Sequence, residues 1–202
     1  TEICDRFTYY PHEIWLYRLA SGWARIEQEE HLMGRAGSVG DEIGSAIIAS
    51  RLVRDLMRLC FMIEKKYAPY AKWFGTAFKH LKCAPALEPI FLSALRSHNW
   101  QERQEHLAQA YSYIAVMHRD LRITQELSVK PRMFFGRPFL VISMGDYSRA
   151  IAELITDPEI QSIADRGLIG SVDQFSDSTD LISHPYWREY LKSFFSKPER
   201  PR

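Results

Sequence analysis

GRAGSVGDEIGSAIIASRLVRDLMRLCFMIEKKYAPYAKWFG (residues 34–75) joins a glycine-punctuated segment to a long run of helix-forming residues. The glycines predict a loop over 34–40, which feeds a helix spanning about 38–66, or about eight turns. Ser38 followed by Asp41 resembles a capping box at its start, and Pro69 stops it, because the residue before proline disfavours the helical conformation. Ile43, Ile47, Val53, Leu56, Met57, Cys60, Phe61 and Ile63 cover most of the helix circumference, the pattern of a central, buried helix.

One polar stripe interrupts that helix: Arg51, Arg54, Asp55 and Arg58 fall at i, i+3, i+4 and i+7. Arginines on a core helix require water, acidic partners or an anionic ligand. Asp55 can pair within the helix with Arg51 and Arg58, and Glu27, Glu29 and Glu30 can complete an ion network. Ligand contact and structural pairing therefore compete as readings of the same stripe.

Working outward, residues 1–10 read as an entry strand or linker, and Pro11 suits the first turn of a helix. Trp15, Leu16, Leu19, Ala20, Trp23 and Ile26 recur at helical spacing, giving a helix that ends near Met33 with Gly34 as terminator. A third helix is expected from Tyr70 to about Leu81. Pro85 and Pro89 admit only a short helix ending near Arg96. Asn99 with Glu102 caps a helix to about Arg122, striped by Leu107, Ala110, Tyr111, Ile114, Met117 and Leu121. The last third is less regular: a short extended segment at 137–142, a helix over 146–155, a helix start at Asp157-Pro158, and a loop at Gly167 and Gly170. A last amphipathic helix begins at Ser183 and Pro185, and residues 197–202 form a frayed tail. The fold expected is an all-α, multi-helix bundle around the 38–66 helix, with one helical domain over 11–196.

A net charge of +1 gives no electrostatic footprint for nucleic acid. Cys4, Cys60 and Cys83 are few and lack a C-x-x-C spacing, so neither a disulfide framework nor a zinc site is indicated, and a reducing, cytoplasmic setting is expected. No apolar run reaches the length of a membrane span. The chain begins at Thr1 rather than Met, which suggests a fragment or a processed product.

Several clusters carry chemistry in principle. The 34–40 loop, with Arg35 beside it, offers free N–H groups to an anion at a helix start, although no Walker pattern follows. Tyr67, Tyr70, Lys72 and Trp73 gather two phenols, an ammonium and an indole at a corner, which suits a planar ring and an anion. Packing and a snorkelling lysine are the plainer reading. Arg25 and His31 loosely fit the arginine–histidine signature of HEPN ribonucleases. His106 and His118 have no metal-ligand partner at helical spacing. Asp173, Asp177 and Asp180 form a carboxylate group in a segment rich in turn residues. No metal site is indicated.

The runs GRAGSVGDEIGS (34–45), ASRLVRDLMRLCFMIEKKYAPYAKWFGTAF (49–78) and GSVDQFSDSTD (170–180) resemble an uncharacterised helical family, a domain of unknown function whose members usually follow a nucleotidyltransferase domain in the same polypeptide. The similarity runs from about Tyr10 to about Leu191. In relatives such as kanamycin nucleotidyltransferase, an α/β domain binds nucleotide and metal, and a helical domain shapes the acceptor side of the cleft. The catalytic signature, a Gly-Gly or Gly-Ser turn followed by two acidic residues flanking a hydrophobic one, is absent here; Asp180-Leu181-Ile182 is the nearest approach.

The resemblance thus implies a substrate-binding or accessory domain that is not catalytic alone. It receives nucleoside triphosphate and magnesium only together with a missing N-terminal nucleotidyltransferase domain, and its acceptor is an unidentified small molecule or macromolecule. In that frame Arg35, Arg51, Arg54 and Arg58 contact phosphate or an acidic acceptor, Tyr67, Tyr70, Lys72 and Trp73 line the acceptor pocket, and Glu29, Glu30 or Asp41 serves as the base. The rival readings are a non-catalytic interaction module and a HEPN-like ribonuclease.

Overall fold

The structure, a computed structural model, describes residues 8–176, 178, 181 and 184–196. Among them the chain is mainly helical, with one small sheet, which modifies the all-α expectation. Helix α1 (His12–Glu29) begins after Pro11, and Trp15, Leu16, Leu19, Ala20, Trp23 and Ile26 all lie in the core. It is followed by α2 (Leu32–Ser38) and α3 (Glu42–Ile63). The loop expected at 34–40 is therefore mostly helix. Gly34 and Gly37 permit close packing: a Cβ on Gly34 would stand 2.8 Å from Phe139, and one on Gly37 2.2 Å from Trp100. Only Gly40, at φ +85°, makes a left-handed turn.

Helix α3 is shorter than the expected 38–66 span, and its N-cap is Asp41, whose side chain accepts from the Gly44 N–H at 2.7 Å. Ser38 instead donates its hydroxyl to the Arg35 carbonyl. The most enclosed helix is α1, buried at every position of 15–24. Helix α3 buries Leu52, Val53, Leu56, Leu59, Cys60 and Phe61 but leaves Ile43 and Ile47 exposed. The central position thus belongs to α1, held against α3 by the Trp15 indole, which donates to the Met62 carbonyl at 2.9 Å.

A 3-10 turn (Ala71–Trp73) leads into the short α4 (Phe74–Phe78), in place of a helix running to Leu81. Helix α5 (Ala84–Arg96) is a full element: Pro85 lies in the first turn, where no intrahelical donor is required, and Pro89 sits inside the helix at the loss of one backbone hydrogen bond. Helix α6 (Trp100–Asp120) starts as expected, with Asn99 accepting from the Glu102 N–H at 2.9 Å. An antiparallel hairpin of β1 (Arg132–Phe134) and β2 (Arg137–Val141) follows, pairing Arg132 with Val141 and Met133 with Leu140. Its two-residue loop holds Phe135 and Gly136 both at positive φ, the geometry that matches strand twist. Only the second strand was anticipated.

Helix α7 (Asp146–Ala152) packs on α1, where Tyr147 stacks on Trp23 with centroids 4.0 Å apart. Helix α8 (Pro158–Ala164) is capped by Asp157, α9 (Val172–Phe175) by Ser171, and α10 (Pro185–Lys192) by the His184 ring. The expected start at Ser183, and residues 1–7 and 197–202, lie outside the described residues. No helix among those described is long and apolar enough to cross a membrane.

Candidate arginine–carboxylate site

The i, i+3, i+4 and i+7 stripe of α3 meets a second stripe on α1, where Arg18, Arg25 and Glu29 share a face. Glu29 and Asp55 are buried between them. Arg25 reaches both, its Nη2 lying 3.6 Å from Glu29 Oε1 and 3.5 Å from Asp55 Oδ2. Arg51 binds the same Glu29 oxygen. Arg54 Nε and Arg58 Nη1 approach Asp55 Oδ1 at 3.6 and 3.7 Å. Four guanidiniums thus surround two carboxylates, and each buried charge has a partner, which is what makes its burial tolerable. Arg51 is the outermost, with 45 % of its side chain exposed. Of the pairing expected for this stripe, Arg58–Asp55 and the participation of Glu29 are present, whereas Arg51 binds Glu29 and both Glu27 and Glu30 are used elsewhere; Arg51 still presents a charged edge to solvent.

The base candidates do not share a site. Glu29 is held in the network. Glu30 is buried and accepts from the N–H groups of Ile142, Ser143 and Met144 at 2.6, 3.2 and 2.9 Å. Burial pushes its carboxyl above the ordinary range, against the pull of those three donors. Asp41 caps α3. All three carboxylates have structural partners, although Glu29 Oε2 is buried and meets no hydrogen-bond donor. Glu27 likewise accepts from the Ser148 hydroxyl at 3.0 Å.

Arg35 is exposed on α2 and makes no ion pair among the described residues. The corner residues split. Tyr67 joins Tyr9 and Tyr10, with ring centroids 5.1 and 4.8 Å away. Tyr70 and Trp73 are more than half exposed, and Lys72 Nζ lies 5.1 Å from the Trp73 ring centroid. The corner is therefore solvent-facing rather than core.

Arg25 and His31 do not converge within the chain. The His31 ring stacks on Phe134, centroids 4.3 Å apart, and burial followed by Arg35 pushes its pKa down. His118 is buried, and its Nε2 lies 3.2 Å from Thr124 Oγ1. Asp173 binds Arg18; Asp177 and Asp180 lie outside the described residues. Among the described residues, no group of three His, Cys, Asp or Glu is placed to hold a metal ion. Sequence reading missed Arg18, and Arg25 as a network member. The signal was their spacing of seven residues on one face with Glu29 four further on.

Fold and site together describe a helical domain with an arginine-rich ion network set between its first and third helices. Residues 1–74, which carry every member of that network, match the model of a family described as a domain of unknown function, DUF4037. No curated protein and no solved structure matches the chain.

Proposed function

We propose that the chain is the helical substrate-binding or accessory domain of a nucleotidyltransferase-like protein, lining the acceptor side of a nucleotide-transfer cleft. The observation that carries this reading is Arg51, a half-exposed guanidinium oriented by the buried Glu29. A cation fixed in this way loses little side-chain freedom when it meets a phosphate or an acidic acceptor. The exposed Tyr70, Lys72 and Trp73 offer a stacking and charged surface for the acceptor. Nucleoside triphosphate and magnesium belong to the N-terminal nucleotidyltransferase domain expected in the same polypeptide. The base that activates the acceptor would come from that domain too, since Glu29, Glu30 and Asp41 have structural partners.

Calorimetric titration of nucleotide into the whole protein tests the reading. Arg51→Ala is expected to weaken binding about tenfold, the loss of one charge-assisted hydrogen bond. Its melting temperature should fall as well, because the buried Glu29 loses its hydrogen-bonded partner, so the affinity is the deciding readout. Unchanged affinity with a lowered melting temperature would make the network purely structural. A second reading, an interaction module, is favoured by Val39, Ile43 and Ile47, which lie exposed at i, i+4 and i+8.

A further inference from the structure

The net charge of +1 conceals a segregation of charge along the chain. Residues 65–87 hold five lysines, Lys65, Lys66, Lys72, Lys79 and Lys82, and no aspartate or glutamate, so acid outnumbers base over the rest of the sequence. All five lysines are exposed. The segment forms one lobe because Glu64 closes its base: the two carboxylate oxygens accept from the N–H groups of Lys82 and Cys83, each at 2.9 Å. These bonds tie the end of α3 to the start of α5. Phe74 and Phe78 pin the inner side of the lobe on Phe61, with ring centroids 5.5 and 6.4 Å away.

The outer side combines cations with rings. Tyr67, Tyr70 and Trp73 recur at every third residue and are exposed. Lys79 pairs with Glu88 at 3.2 Å, whereas Lys65, Lys66, Lys72 and Lys82 make no ion pair among the described residues. Lys72 Nζ lies 5.1 Å from the Trp73 ring centroid and Lys65 Nζ 4.2 Å from that of Trp15, so charge stands beside aromatic faces. Lysines among exposed rings match a polyanion that carries planar groups along its length, its phosphates meeting the ammonium groups and its bases the ring faces. The large apolar side chains exposed on the lobe are all rings with a polar tip, with no aliphatic chain among them, which favours stacking over insertion into a lipid layer.

We propose that residues 65–82 form a binding surface for single-stranded nucleic acid, with Tyr70 and Trp73 stacking on bases and Lys65, Lys66, Lys72 and Lys82 holding phosphates. The inference rests on the accessory-domain reading where it makes that strand the acceptor; the binding itself needs no other domain.

Fluorescence anisotropy tests it, with the chain titrated into a labelled RNA strand of about 12 nucleotides, the DNA strand of the same sequence and the corresponding DNA duplex, over a series of salt concentrations. Saturable micromolar binding of a single strand is expected, tighter than that of the duplex, and the preference between RNA and DNA identifies the source of the strand. The logarithm of the affinity should fall with that of the salt concentration with a slope of about −3, the value for four lysine–phosphate contacts. Trp73→Ala should weaken binding about tenfold and keep the slope, whereas Lys65→Ala with Lys66→Ala should roughly halve the slope. Duplex bound as tightly as single strand, with Trp73→Ala unchanged, would overturn the proposal and leave an unselective polyanion surface. Absence of oligonucleotide binding would overturn it too, and uptake of the chain by vesicles of phosphatidylcholine and phosphatidylserine would then reassign the lobe to a membrane. Arg51 lies outside the lobe, so Arg51→Ala should leave oligonucleotide affinity unchanged, and failure here is distinct from failure of the nucleotide titration.

Discussion

His118 lies edge-on to the stacked pair of Trp23 and Tyr147, and burial pushes its pKa down to about 4. A histidine depressed in the folded state stabilises the protein above its unfolded pKa of about 6.5, and that contribution is lost as pH falls through the folded value. Between those two values the fold should lose about 3 kcal/mol of stability from this residue alone. Denaturant unfolding at a series of pH values checks this: His118→Gln should flatten the slope between pH 6.5 and about 4. An identical slope in the variant would show that another group controls it. Glu30 makes the complementary point at the same scale. Its neighbours Glu27 and Glu29 look equivalent in sequence, yet the three carboxylates serve a serine hydroxyl, an arginine pair and three backbone N–H groups. Side-chain type predicted their charge; their partners arrive from distant segments.

Among the elements, caps and prolines at Asn99, Asp157 and Pro158 were dependable, because they act within one helical turn, whereas Ser38 does not cap α3 and the prolines at 85 and 89 do not shorten α5. Asn99 begins α6, and Asp157 with Pro158 begins α8, as their residue types require. The glycines of 34–40 were ambiguous for a physical reason, since glycine permits both a loop and close approach between packed elements. Gly34 and Gly37 resolve to the second use because Phe139 and Trp100 press against them. Gly37→Ala should therefore destabilise by about 2 kcal/mol, as overpacking against Trp100 exceeds the gain in helix propensity. Gly75→Ala, where an added Cβ meets nothing within 4 Å, should be neutral or stabilise by up to about 1 kcal/mol. Thermal unfolding of the two variants compares them directly; a destabilised Gly75→Ala with an unaffected Gly37→Ala would refute the packing account. The hairpin was half legible: β2 reads as extended, whereas β1 acquires strand geometry only through its partner and the left-handed pair at Phe135 and Gly136.

For the whole molecule, the apolar stripe of Val39, Ile43 and Ile47 is the feature that separates the two functional readings. A monomer in sedimentation velocity at low micromolar concentration, unchanged by Ile43→Glu, would remove the interaction module. A dimer that Ile43→Glu dissociates would select the interaction module. The sequence by itself determined the helical class, most helix starts, the apolar stripes of α1 and α6, and the set of charges available on α3, because periodicity and capping are properties of neighbouring residues. Only the tertiary structure decided that α1 rather than α3 is enclosed, that Arg25 completes the ion network, and that Arg18 is buried against Asp173, 155 residues away. Burial and long-range pairing are set by which faces meet, and no local pattern specifies that until the elements have packed.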